Sequence, residues 1–116
     1  MDNTHLTKGH CVPCEGGTAA LEPEEIAKYL SLLKTEWSVV EDPSVNSGRA
    51  IEKKFKFKDF KEAMSFVNKI AEIAEEQGHH PDVGIYYNKV NIALTTHAIN
   101  GLSTNDFIMA SKIELL

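Results

Sequence analysis

Between Asp59 and Gly78 the apolar residues Phe60, Ala63, Met64, Val67, Ile70, Ala71 and Ala74 recur every three or four positions. That spacing puts them on one side of an α-helix and requires a surface for the stripe to cover. The stripe is bounded at both ends. Asp59, with Glu62 three residues on, forms an approximate capping box, and Gly78 has the glycine character of a helix C-terminus. A helix of this length with one apolar side predicts a sheet or a second helix layer beneath it.

The segments on either side supply that sheet. Ile51, Lys53, Phe55 and Phe57 share one parity while Glu52, Lys54 and Lys56 share the other, as expected for a strand covered on one side only. Trp37–Glu41 precedes it as a short strand, across a turn-rich Asp42–Gly48 connection. Two further strands are predicted at Val83–Tyr87 and Val90–Thr96, joined by a tight turn around Asn88-Lys89. A first helix is expected from Glu22, with Pro23 in its first turn and Ile26, Tyr29, Leu30 and Leu33 on one face. A last helix is expected over Thr104–Ile113, capped by Ser103. The order α-β-β-α-β-β-α predicts an α+β domain over residues 21–116: a four-stranded antiparallel sheet with helices packed on one face. Residues 1–20 read as an irregular N-terminal arm.

Composition narrows the function classes. The 116 residues suit one domain, and the 42% apolar content is enough for a core. Twelve basic against seventeen acidic residues leave a net charge of -5, which disfavours nucleic-acid partners because their affinity rests on neutralising phosphates. No apolar run approaches the roughly 20 residues of a membrane span. The N-terminus lacks the basic and apolar regions of a signal peptide, so a cytoplasmic protein is expected. Cys11 and Cys14, beside His10, form the only cysteine pair. Four ligands for structural zinc are missing, as is the βαβ context of a thioredoxin motif, so a local turn through Pro13 with reduced thiols is expected.

Chemistry-bearing residues gather after the long helix. Glu75, His79, His80, Pro81, Tyr87, His97 and Asp106 lie within 32 residues. Imidazole exchanges protons near neutral pH, so the cluster suits either proton transfer or metal binding. Adjacent histidines point in divergent directions, and no H-x-H or H-x-x-x-H spacing aims two rings at one ion, which argues for proton transfer. Each residue also has an ordinary reading. His79 can cap the helix end, Tyr87 can be an edge-strand aromatic, and His97 a satisfied polar residue. Asp106 lies three residues after Ser103, as the reciprocal member of an S-x-x-D cap.

These residues resemble the pterin-4a-carbinolamine dehydratases. The family pattern of an acidic residue, three spacers, H-H-P, an aromatic six residues later, a histidine ten beyond that and an aspartate nine further is filled by Glu75, His79-His80-Pro81, Tyr87, His97 and Asp106. The likeness extends over roughly residues 21–115, through Trp37, Phe55–Phe60 and Thr96–Ser103. Val83 and Asn105 stand where animal members often carry tryptophan and arginine. The Asn105–Ala110 run and the cysteine-pair leader are of the microbial type.

The resemblance implies dehydration of 4a-hydroxytetrahydropterin to quinonoid dihydropterin, in the regeneration of tetrahydrobiopterin. The N5 proton is removed and the 4a-hydroxyl leaves as water, without a cofactor. It implies His79 and His80 as the acid/base pair and His97 as a third participant that binds or polarises the pterin. Glu75, Pro81, Tyr87 and Asp106 become orienting or substrate-binding residues. The sequence leaves open which histidine is acid and which base. A homodimer or homotetramer is implied, with a functional link to an aromatic amino acid hydroxylase. The alternatives are a non-catalytic dimerisation or assembly cofactor on the same fold and a metal-dependent hydrolase.

Overall fold

A computed structural model describes residues 19–41 and 49–116, together with Gly9. The expectations for Cys11, Cys14 and most of the N-terminal arm, and for the Asp42–Gly48 connection, lie outside the described residues. Among the described residues there are three helices, α1 (Pro23–Leu32), α2 (Phe60–Gln77) and α3 (Thr104–Ile113), with strands β1 (Ser38–Glu41), β2 (Arg49–Lys56), β3 (Asp82–Tyr86) and β4 (Lys89–Leu94). The strands form one antiparallel sheet in the order β1-β2-β4-β3. This is the α+β arrangement that the sequence predicts.

β4 lies inside the sheet and shows why. Val90, Ile92 and Leu94 are fully buried on the helix-facing side, while Asn91 and Ala93 alternate with them on the other. The stripe of α2 buries Ala63, Phe66, Ile70 and Ala74 in the same core. Aromatic rings fill the corner where β2 meets α2. Phe55 and Phe57 lie 4.7 and 4.9 Å from Phe66, and Trp37 meets Phe55 edge-on at 6.2 Å. On the other side of the core Tyr29 of α1 stacks on Phe107 of α3 at 5.3 Å.

Helix ends follow local chemistry. Asp59 accepts the amide of Glu62 at 2.9 Å, and the Glu62 carboxylate reaches back to the amide of Lys58 at 3.1 Å, one residue before the position an ideal box would use. At the other end Gly78 takes a left-handed conformation, φ 66°, in which a side chain would be strained. The amides of Gly78 and His79 both then donate to the Ala74 carbonyl, at 2.9 and 3.3 Å. The chain turns sharply there, and His79 and His80 follow.

Boundaries differ from expectation at three places. Trp37 precedes β1 and is buried in the core, its indole N–H donating to Glu114 at 3.2 Å. The β3–β4 turn is Tyr87-Asn88, with Tyr87 left-handed at φ 55°. Asn88 holds that turn down through its side-chain donation to the Phe57 carbonyl at 3.0 Å. Finally, β4 stops at Leu94 because the next two residues turn their hydroxyls inward. Thr95 donates to the Arg49 carbonyl at 2.7 Å and Thr96 to Asp106 at 2.8 Å. His97 therefore opens a short 3-10 turn, His97–Ile99, rather than ending a strand.

Candidate active site

The site forms where three chain ends meet: the C-terminus of α2, the C-terminus of β4 and the N-terminus of α3. Asp106 is its centre. The helix that carries it is buried almost all round, from Asn105 to Ser111, and Asp106 itself is 0% exposed. A carboxylate in such a place needs polar partners, and it has three. Oδ1 lies 2.7 Å from His79 Nε2. Oδ2 accepts the Thr96 hydroxyl at 2.8 Å and the Ser103 amide at 3.0 Å. The Ser103 contact is the reciprocal half of the α3 capping box, so one side chain both caps a helix and holds a histidine.

His79 and His80 are sequence neighbours with opposite surroundings. The His79 side chain is 13% exposed and turned onto Asp106, whereas His80 is 60% exposed, with Nε2 3.7 Å from the Glu75 carboxylate. The second distance is an ion-pair contact for a protonated ring rather than a hydrogen bond, and between exposed groups it contributes little stability. His80, Glu75 and Pro81 line a cavity of about 180 Å³ whose remaining walls are Val67, Ile70, Ala71, Ala74 and Val83. The cavity is thus apolar inside and carries an imidazole and a carboxylate at its rim. A larger cleft, about 540 Å³, runs along the outer side of α2 from Phe60 to Glu72 and holds no histidine. Chemistry rather than size marks the smaller one.

The remaining residues of the pattern separate. His97 directly follows Thr96, so its backbone adjoins the network, while its side chain is exposed and makes no hydrogen bond or ion pair among the described residues. Tyr87 lies in the turn at the far end of the β3–β4 hairpin, exposed to 66%. The five-residue β3 that intervenes spans about 16 Å, so within one chain Tyr87 is not brought to the histidines. Thr96 and Ser103 complete the network and were singled out by sequence only as a matching segment and a helix cap. No metal-ligating group of three or more His, Cys, Asp or Glu side chains is formed among the described residues. No helix among them is long and apolar enough to cross a membrane.

A crystal structure of a transcriptional coactivator/pterin dehydratase from Brucella melitensis superposes with a TM-score of 0.73 at 35% identity, covering 83% of this chain and 96% of that one. A pterin dehydratase-like protein identified as a RuBisCO assembly factor in the alpha-carboxysome shares the fold at TM-score 0.57 and 20% identity, over 71% of this chain and 89% of that one. The sequence profile described as "Pterin 4 alpha carbinolamine dehydratase" matches residues 19–116. Proteins provisionally named as pterin-4-alpha-carbinolamine dehydratases are similar over nearly the whole length. The one from Alkaliphilus metalliredigens is 44% identical, over 95% of this chain and 94% of its own. That from Legionella pneumophila strain Lens is 48% identical, over 96% and 94%. The chain belongs to the pterin 4 alpha carbinolamine dehydratase family.

Proposed function

We propose that this protein dehydrates 4a-hydroxytetrahydropterin to quinonoid dihydropterin, with His79 and His80 as the acid/base pair. The C4a–OH and N5–H bonds break, a C4a=N5 double bond forms, and the hydroxyl leaves as water. One proton must be taken and one given, and no electrons are exchanged. The observation that carries this reading is the 2.7 Å contact between His79 and the buried Asp106, with the next residue, His80, lining an apolar cavity. A carboxylate behind an imidazole orients the ring and compensates the charge it gains on taking a proton. That arrangement supports His79 as the base at N5 and the exposed His80 as the acid at the leaving hydroxyl. The apolar walls from Val67, Ala71 and Val83 suit the faces of a flat heterocycle, and Glu75 suits its N–H edge. His97 would bind or polarise the ring from the 3-10 turn.

Tetrahydrobiopterin regeneration alongside an aromatic amino acid hydroxylase, in the cytoplasm and as a homodimer or homotetramer, is the context this reaction implies. The relatives described as a coactivator and as an assembly factor raise a second reading, a binding role on the same fold. The complete histidine set favours the enzyme, because every histidine of the family's pattern is present in this chain. Stopped-flow dehydration of the 4a-carbinolamine, with and without a chelator, tests the proposal. Activity that survives chelation and collapses in His79→Ala and His80→Ala supports it, and an inactive wild-type protein overturns it.

A further inference from the structure

Proton counting around Asp106 fixes more than the identity of its partners. A hydroxyl has one hydrogen to give, and an ionised carboxylate has none. Two donors converge on Oδ2 of Asp106 and a basic imidazole nitrogen faces Oδ1, the surroundings of a carboxylate rather than of a carboxylic acid. The single hydrogen of Thr96 therefore goes to Oδ2. The Ser103 hydroxyl, 2.8 Å from Thr96 Oγ1, must then be the donor in that second contact. The donations run one way, from Ser103 to Thr96 to Asp106. With Oδ2 holding Thr96 and the Ser103 amide, Oδ1 is left for His79. The hydrogen in that contact sits on Nε2, and Nδ1 keeps its lone pair. Among the described residues Nδ1 of His79 makes no hydrogen bond.

We infer that Thr96, driven by Ser103, is a positioning residue that turns the Asp106 carboxylate onto His79 and leaves Nδ1 of His79 as the nitrogen that works on the substrate. Thr96 is well placed for this. It is buried, and its amide and carbonyl are tied to Gly101 across a local bridge, at 2.9 and 3.4 Å, which limits the directions its hydroxyl can take. Without that hydroxyl only the Ser103 amide holds Oδ2, so the carboxylate is less firmly aimed and the imidazole loses its fixed tautomer and direction. The inference rests on His79 acting as an acid/base group, and it makes a claim about ring chemistry that can be checked without any turnover.

The test is ¹⁵N NMR of the histidine rings in the wild-type protein at alkaline pH, alongside stopped-flow kinetics of Thr96→Val, Thr96→Ser and His79→Ala. His79 should be the Nε2–H tautomer in wild type and Thr96→Ser, and a mixture in Thr96→Val. Thr96→Val should lose between about ten- and a hundredfold in kcat with KM nearly unchanged, the size expected when a reacting group is misaimed, and Thr96→Ser should recover most of it. A wild-type His79 found as Nδ1–H overturns the inference even if Thr96→Val fails to fold. So does a Thr96→Val protein that keeps both the tautomer and kcat. A fully active His79→Ala protein overturns the acid/base reading instead, and the ring measurement separates the two failures.

Discussion

His79 and His80 are covalent neighbours that face opposite environments: one ring is closed onto a fully buried aspartate, the other opens to solvent beside Glu75. Gly78 makes this possible, because its left-handed turn carries the chain away from α2 and consecutive side chains then diverge. The two histidines should therefore fail in different ways when removed. His79→Ala leaves Asp106 buried without its imidazole and is expected to cost about 3 kcal/mol, the low end for breaking a buried pair, since two donors remain. His80→Ala and Glu75→Gln should each cost less than about 1 kcal/mol, as exposed ion pairs do. Urea unfolding of the three variants measures the contrast. Equal losses for His79→Ala and His80→Ala would contradict the asymmetry.

Asp106→Asn changes chemistry with little change of shape. The amide oxygen can still accept from Thr96 and Ser103, which places the NH₂ group against His79 Nε2 and demands a lone pair there. The ring must then carry its hydrogen on Nδ1. A fall in kcat on the order of 10²–10⁴ is expected, the range for losing a positioned base, with a melting temperature close to wild type. Stopped-flow rates and a thermal melt on the same preparation check both parts. A variant within threefold of wild type would remove Asp106 from the mechanism.

A third consequence concerns Glu114, at the end of α3, whose carboxylate accepts the amides of Lys34 and Thr35 at 3.0 and 2.7 Å, the Thr35 hydroxyl, and the Trp37 indole N–H at 3.2 Å. One side chain thereby ties the segment after α1 to the other end of the chain. Glu114→Gln can replace only part of this acceptor set, so a loss of about 1.5–3 kcal/mol is expected, as for hydrogen bonds to a charged group. Because Trp37 is the only tryptophan, its fluorescence in a denaturant titration reports the change directly.

Gly101 gives a fourth. A methyl group there would lie 2.7 Å from the Ala20 side chain, where the incoming chain crosses and Leu21 donates to the Leu102 carbonyl at 2.9 Å. Gly101→Ala should destabilise by about 1–3 kcal/mol through this overlap. Ala20→Gly in the same chain should restore most of it, because the two positions are in direct contact and their effects are not independent. A double variant no better than Gly101→Ala would place the strain elsewhere.

Local signals in the sequence located the elements well, and contacts between distant residues account for what escaped. The stripe after Asp59, the glycine at 78 and the Ser103–Asp106 spacing each act within a few residues, and each predicted its helix end. The alternation through Val90, Ile92 and Leu94 likewise found β4. It did not show where β4 stops, because that is decided by Thr95 and Thr96 bonding to Arg49 and Asp106, partners 46 and 10 residues away. A strand running through Thr96, as the alternation predicts, would put His97 at its end, whereas His97 lies in a 3-10 turn. Tyr87 belongs to the motif by spacing alone, and spacing along a hairpin says nothing of which end of it a residue occupies. The Glu114 contacts bridge 77 to 80 residues and left no local trace.

The network around Asp106 draws one member from the end of α2, one from the end of β4 and two from the start of α3. Thr96, Ser103 and Asp106 lie within one short stretch, but the imidazole that completes the network comes from 27 residues upstream of Asp106. His79 comes into reach of the carboxylate only when both helices have docked on the finished sheet. During refolding, helix content and core burial can therefore recover ahead of turnover, and the return of dehydratase activity would time the last docking event of the fold.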